Sequence, residues 1–292
     1  MSQQPPQPKE HFLLGSMREF TADTLGFVLD MRRYGDLVRF RFGPFPIHIA
    51  NHPDYVHDVL VTNADKYYKD RNTKIVMKPV LGNGLFLSDG AFWKRQRKLA
   101  QPAFHSKRIG DYAQVMVDYA SEVADHWQNA HIYDIDREMN TLTMRIIAKT
   151  LFDADVSKDA HEVGEIISRV LEMTTERFST LFLPPDWLPT RQNRDLKQAI
   201  ERLDQLIYGF INERRSSNVD KGDLLSMLLM AQDEDSNRMT DKQVRDEAMT
   251  LFGAGHETTA VALMWTWYLL SQHPEIEQKL LEELKRVLGG RT

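Results

Sequence analysis

Apolar residues recur at helical spacing through most of the chain. Ile109, Tyr112, Met116, Ala120, Val123 and Trp127 mark one face of a long amphipathic helix, and Met139, Leu142, Ile146 and Phe152 mark the next. A third helix is predicted over residues 159–181, ending at the proline-rich segment 184–189, and Leu196, Ile200, Leu203, Ile207 and Phe210 give a fourth. Residues at these periodic positions read as core. Residues 214–222 read as a polar loop, Asp223 as the cap of a short apolar helix, and Pro274 as the start of a last helix closed by Gly289 and Gly290. Strict alternation of apolar and polar positions is confined to residues 37–42, a half-buried strand, with a turn at Gly43-Pro44 and a hairpin partner over 45–50. Residues 1–20 read as loose, 22–33 as a helix closed by Gly35, 53–61 as a short helix, and 70–88, with Pro79, Gly82 and Gly84, as irregular. Ser88 or Asp89 then caps a helix that stops before Pro102. The pattern is that of a mainly α chain with one small amino-terminal β-hairpin, without internal repeat or linker.

The longest periodic segment opens at Thr240, whose hydroxyl forms a capping box with Gln243, and runs to about Gln272. A helix of that length spans about 48 Å, enough to cross a globular domain. From Met249 to Leu270 it is apolar nearly all round, as expected of a helix buried on every side. Its middle breaks the pattern: Phe252-Gly-Ala-Gly-His-Glu-Thr-Thr-Ala260 places two glycines, an acid and two threonines in a helix interior. Each glycine costs about 1 kcal/mol against alanine, and the polar groups must be satisfied if buried. One reading is a groove. Gly253, Ala254 and Gly255 would let a flat ligand lie against the helix, Thr258 would bond back to the Ala254 carbonyl, and Glu257 would carry a proton. The other is close helix packing, with Thr258 a satisfied core hydroxyl. His256-Glu257 starts a zinc-protease pattern, but position 260 is alanine, and Gly253-x-Gly255 lacks the strand, third glycine and lysine of a phosphate loop.

Trp93 and Arg97, four residues apart, share a face of the helix before Pro102 and present an indole N–H beside a guanidinium, a donor pair suited to a carboxylate or phosphate. Equally, they fit a solvated basic helix anchored in the core by Trp93. Composition narrows the field: 27% charged and 42% hydrophobic residues are ordinary for a globular protein, and a net charge of -5 gives no overall footprint for nucleic acid. No run is apolar enough for a membrane anchor and the polar, proline-rich start is no signal sequence, so a soluble, cytoplasmic protein is expected. The 292 residues contain no cysteine, which excludes disulfides and thiolate metal sites; no metal ligand is expected within them.

Ala254-Gly-His-Glu-Thr-Thr259 resembles the oxygen-activation motif, (Ala/Gly)-Gly-x-(Asp/Glu)-Thr-(Thr/Ser), of the long I helix of cytochrome P-450 monooxygenases, and matches at all six positions. Trp93-x-x-x-Arg97, with the surrounding Ser88-Asp-Gly-Ala-Phe-Trp-Lys-Arg-Gln-Arg-Lys98 and Pro102-Ala-Phe104, resembles the C-helix motif of the same family. The resemblance covers essentially the whole chain. It implies the family fold from its A helix to its J helix over residues 1–292, a single incomplete domain without its carboxy-terminal part. It further implies haem as cofactor, Trp93 and Arg97 on a haem propionate, Ala254 and Gly255 over the haem face, Thr258 supporting oxygen activation and Glu257 helping to relay protons. Leu85 and Phe86 would border the substrate pocket, and the helices flanking 184–189 would form its lid. Lys94, Arg95 and Lys98 would be left near solvent to steer an acidic redox partner. The family's axial cysteine is then expected beyond Thr292, making this chain a fragment that is inactive alone. The implied activity is a monooxygenase acting with O2 on a small apolar substrate, with electrons from a ferredoxin or flavoprotein reductase. The alternative class is a non-enzymatic helical carrier of lipid or haem.

Overall fold

The structure, a computed structural model, describes residues 4–154, 160–179, 184–217 and 219–289. Contacts divide the chain into two compact units, one up to Tyr68 and one from Lys69 onwards. In the first, α1 (Met17–Ala22) and α2 (Thr24–Met31) precede an antiparallel hairpin of β1 (Leu37–Phe42) and β2 (Phe45–Ala50), followed by α3 (Pro53–His57). Leu37 pairs with Ala50 and Phe42 with Phe45, around a turn that holds Gly43 at φ 55°. Period-two alternation buries Val38 and Phe40 of β1 together, against Phe27 and Met31 of α2. The helix expected over 22–33 is broken at Asp23, whose carboxylate accepts the Gly26 N–H at 2.9 Å and caps α2.

Residues 1–20 were expected to be loose, and from residue 4 on they are tied down. Glu10 accepts the Arg41 backbone N–H at 2.6 Å and its Nε–H at 2.9 Å, Pro6 O accepts the Arg39 N–H at 3.0 Å, and α1 begins within the segment. The free edge of β1 offers unpaired N–H groups, and the preceding chain satisfies them.

The second unit comprises α4 (Arg71–Leu81), α5 (Gly90–Ala100), α6 (Ser106–His126), α7 (Ile135–Phe152), α8 (Ala160–Ser179), α9 (Arg191–Ser217), α10 (Leu224–Met230), α11 (Asp241–Gln272) and α12 (Pro274–Leu288). The capping box that opens α11 is formed, with the Gln243 N–H on Thr240 Oγ1 at 3.2 Å and the Thr240 N–H on Gln243 Oε1 at 2.9 Å. Val244, Ala248, Met249 and Phe252 of α11 enter the main core with Met144, Leu151 and Phe152 of α7, Ile207 and Ile211 of α9, and Leu225 and Leu228 of α10. Asp223 caps α10 as its position suggests, accepting the Ser226 N–H at 2.8 Å. Asp159, Leu181 and Gly290, named as helix ends in the sequence, lie outside the described residues.

Three expectations are corrected. The stretch 70–88 is not irregular: Asp70 caps α4 by accepting the Thr73 N–H at 2.8 Å. Pro79 falls in the last turn, where it removes one hydrogen bond without breaking the turns before it, and Gly82 at φ 60° ends the helix. Arg214 is not a loop residue but a buried part of α9, paired with Asp223 at 2.7 Å and donating to Ser226 Oγ at 2.8 Å and Phe152 O at 3.0 Å. Finally, α11 is buried nearly all round only over residues 244–252. Trp265, Trp267, Tyr268 and Leu269 are exposed, although Trp127, at the end of α6, meets Trp267 edge-on at 5.7 Å.

Candidate functional site

The glycine-containing middle of α11 has two sides with different chemistry. A Cβ built on Gly255 would come within 2.9 Å of Ile147 Cδ1, so the missing side chain lets α7 approach closely. His256 lies on this covered side, 2% exposed, with Nε2 at 3.2 Å from Asn140 O and no partner for Nδ1. Burial lowers its pKa, outweighing the hydrogen bond to Asn140; the imidazole is therefore neutral at pH 7 and donates through Nε2. On the other side, a Cβ on Gly253 would meet nothing within 4 Å, and Ala254, Glu257 and Thr258 are exposed. The packing and groove readings of this cluster thus both apply, to different residues.

Thr258 Oγ1 donates to Ala254 O at 2.6 Å. Its proton is committed to the helix, so the hydroxyl turns oxygen lone pairs toward the open side and accepts a hydrogen bond from a protonated group placed there.

On α5, Trp93 and Arg97 do share a face, but they stack. The Arg97 guanidinium lies over the indole, 5.1 Å from its centroid, and Lys69 Nζ lies 5.7 Å from the same centroid. Arg97 is exposed and, among the described residues, has no hydrogen bond or ion pair, so its five donors are available to an anion. Lys69 was not anticipated; it donates to Leu85 O and to Ser88 O at 2.8 Å, contacts that no local spacing signals. Burial lowers its pKa, with Asp89 opposing. Asp89 occupies the cap position of α5 but its carboxylate bonds Lys74 and the Lys69 N–H instead of capping.

The basic face expected to be free is largely occupied. Arg95 Nε pairs with Asp233 at 2.7 Å and Lys98 pairs with Glu234, which leaves Lys94 as the member of that trio exposed without an ion pair among the described residues. These pairs hold the Asp233 and Glu234 carboxyls below their ordinary pKa, through the hydrogen bonds from Arg95 and Lys98 respectively.

The first half of α11 straps the preceding loop and α5 to itself. Glu247, 0% exposed, accepts the Leu85 N–H on Oε2 at 2.9 Å and Gln96 Nε2–H on Oε1 at 3.1 Å. Its neighbour Asp246 accepts the Asn83 N–H at 2.9 Å, and Arg245 donates to Val80 O at 2.9 Å. Between these points Gly84 runs so close that a Cβ would lie 2.6 Å from Asp246 O. Leu85 packs against the core, whereas Phe86 is 50% exposed. With 3.6 residues per turn, Glu247, Ala254 and Thr258 share one stripe of α11, spanning roughly 16 Å along its axis. The structure therefore brings Leu85 and α5 onto the stripe that carries Ala254 and Thr258, with Glu257 about 100° round the helix from Thr258.

The cytochrome P-450 family profile matches residues 5–292. The chain belongs to the cytochrome P-450 family. It is similar to cyclooctatin synthase of Streptomyces melanosporofaciens, 41% identical over 274 residues that make up 92% of this chain and 59% of that protein. It is also similar to cyclooctat-9-en-7-ol 5-monooxygenase of the same organism, 32% identical over 96% of this chain and 61% of that protein. Pentalenene oxygenase of Streptomyces avermitilis is 33% identical over 91% of this chain and 59% of its own length. The chain thus spans about three fifths of the length of these curated relatives. As a cytochrome P-450 chain it is expected to hold haem, and two observations fit a flat dianionic group: the open side at Gly253-Ala254 and the unpaired Arg97 guanidinium on Trp93. Among the described residues, no helix of this cytochrome P-450 chain is long and apolar enough to cross a membrane.

Proposed function

We propose that the full-length protein is a haem monooxygenase that places one oxygen atom of O2 into an apolar organic substrate and reduces the other to water, consuming two electrons and two protons. The observation that carries this reading is the open stripe of α11, where Ala254 lies beside a glycine with clear space over it and the Thr258 hydroxyl, fixed by Ala254 O, faces outward. Bound haem supplies the activation of dioxygen. Arg97, held by the Trp93 ring, binds one propionate, with the Lys69 charge beside it. Ala254, with Gly255 behind it, gives the cofactor a flat floor. Thr258 accepts a hydrogen bond from the protonated oxygen or water that reaches the floor, and exposed Glu257 brings protons from solvent to that point. Leu85 and Phe86 border the substrate. Residues 1–292 contain no cysteine, so a thiolate for the haem iron would have to be supplied from outside them.

The names of the relatives give the substrate class a direction. Pentalenene oxygenase and cyclooctat-9-en-7-ol 5-monooxygenase are named for an alkene and an alkenol, and a compact molecule of that kind is proposed here. Electrons come from a ferredoxin or flavoprotein reductase.

The test is to express the full-length protein, record the spectrum of its reduced carbon monoxide complex, and follow labelled dioxygen into product. A red-shifted Soret band of thiolate-ligated haem and label in the product are expected. Haem binding without oxygen transfer, in the presence of an electron donor and across a panel of alkenes and alkenols, would favour the carrier reading instead.

A further inference from the structure

Glu247 is a fully buried acid for which the proposed oxygen chemistry has no use. Two donors from separate segments converge on it, the Leu85 N–H from the loop before α5 and the Gln96 amide from α5 itself. Gln96 is also 0% exposed, and its Oε1 accepts from Arg95 Nη1 at 3.0 Å. That bond fixes the amide orientation, so Nε2 must point at Glu247. An apolar residue at 247 would leave both donors buried without acceptors, a costly arrangement. Burial raises the carboxyl pKa; the bonds from Leu85 and Gln96 oppose this, Asp246 adds to it and Lys69 opposes it.

The consequence lies on α5. Trp93 stands about 60° and Arg97 about 100° round the helix from Gln96, so the rotation that seats Gln96 on Glu247 also decides where the Trp93–Arg97 stack points. The Leu85 bond acts on the same stack from the other side, because Leu85 O and Ser88 O hold the Lys69 ammonium over the Trp93 ring. We infer that Glu247 is a positioning residue which, through Gln96 and the Leu85 amide, sets the geometry of the Trp93–Arg97 haem anchor. This rests on the reading of that pair as the propionate anchor.

The test measures haem release from the full-length protein by transfer to excess apomyoglobin, a readout independent of turnover. Glu247→Gln and Gln96→Glu are each expected to speed release on the order of tenfold, because each leaves one hydrogen bond of the cluster unmade or sets two carboxylates face to face. The exchanged pair, Gln96→Glu with Glu247→Gln, can remake the set. The new carboxylate at 96 accepts from the new amide at 247 and from Arg95, and the amide oxygen accepts the Leu85 N–H. Its release rate should return to within about threefold of the wild type. Arg97→Ala is the control and should speed release by itself. Unchanged release in both single variants, or an exchanged pair as fast as the two losses combined, overturns the inference while leaving the haem reading intact if Arg97→Ala is fast. If Arg97→Ala leaves release unchanged, the anchor reading fails and the inference fails with it.

Discussion

His256 sits between the glycines and the exposed Glu257 and Thr258, yet it faces the protein interior. Its depressed pKa gives a signed prediction. Below about pH 6.5 the unfolded chain binds a proton at this residue that the folded chain refuses, so stability falls as pH drops through that value toward the folded pKa. Replacing it by glutamine, His256→Gln, keeps an N–H donor for Asn140 O and removes the titration. Urea unfolding between about pH 5 and about pH 7 should then show a shallower loss of stability on the acid side than in the wild type. An unchanged slope would mean that His256 is not held neutral. Sequence spacing served well where partners are close along the chain. The bond from Thr258 to Ala254 O follows from the back-bonding habit of helical threonine, and the shared face of Trp93 and Arg97 from their separation. It could not distinguish a side-by-side donor pair from a cation lying on a ring, which is a matter of rotamers. Lys69 and Glu247 were out of reach altogether, since their partners lie in other segments of the chain.

At the scale of elements, the capping signals at Thr240 and Asp223 and the first-turn proline at 274 located helix starts correctly because each signal acts within one turn. Proline and glycine misled where context decides. Pro79 by itself signals irregular chain, but near the end of α4 it costs little. Glycine means different things at 84 and 255. At Gly84 an added Cβ would meet Thr250 Oγ1 and, at 2.6 Å, the Asp246 backbone oxygen, and the latter cannot move without breaking into α11. At Gly255 it would meet the terminal methyl of Ile147, which can rotate. Gly84→Ala is therefore expected to destabilise by about 3 kcal/mol and to loosen the strap over α11. Gly255→Ala should change stability by less than about 1 kcal/mol, since improved helix propensity offsets the crowding. Chemical denaturation of the two variants would check the order, and a Gly255→Ala variant the less stable of the two would contradict this account of the strap.

For the whole molecule, the mainly α character and the hairpin were legible because helical and strand periodicities differ so clearly, and the family profile spans nearly the same residues as the sequence resemblance. The burial of α11 was not, because apolar composition reports what a surface prefers and not whether this chain covers it. Trp265 and Leu269 on α11, and Ile276, Leu280, Leu284 and Val287 on α12, leave apolar faces exposed among the described residues. Surfaces of this kind drive association. The 292-residue chain by itself should therefore show sedimentation that grows with concentration, and a monomer across the whole accessible range would contradict the exposure seen here. The central claim, that the open stripe of α11 handles protons for oxygen chemistry, calls for a measurement on the full-length protein with an electron donor and a substrate that it oxidises. Thr258→Ala removes the outward lone pairs and should leave haem and substrate binding nearly intact. The account predicts that electrons are diverted from product to hydrogen peroxide, with product per electron pair falling on the order of tenfold or more. Product and peroxide yields identical to those of the wild type would remove Thr258, and with it the stripe, from the chemistry.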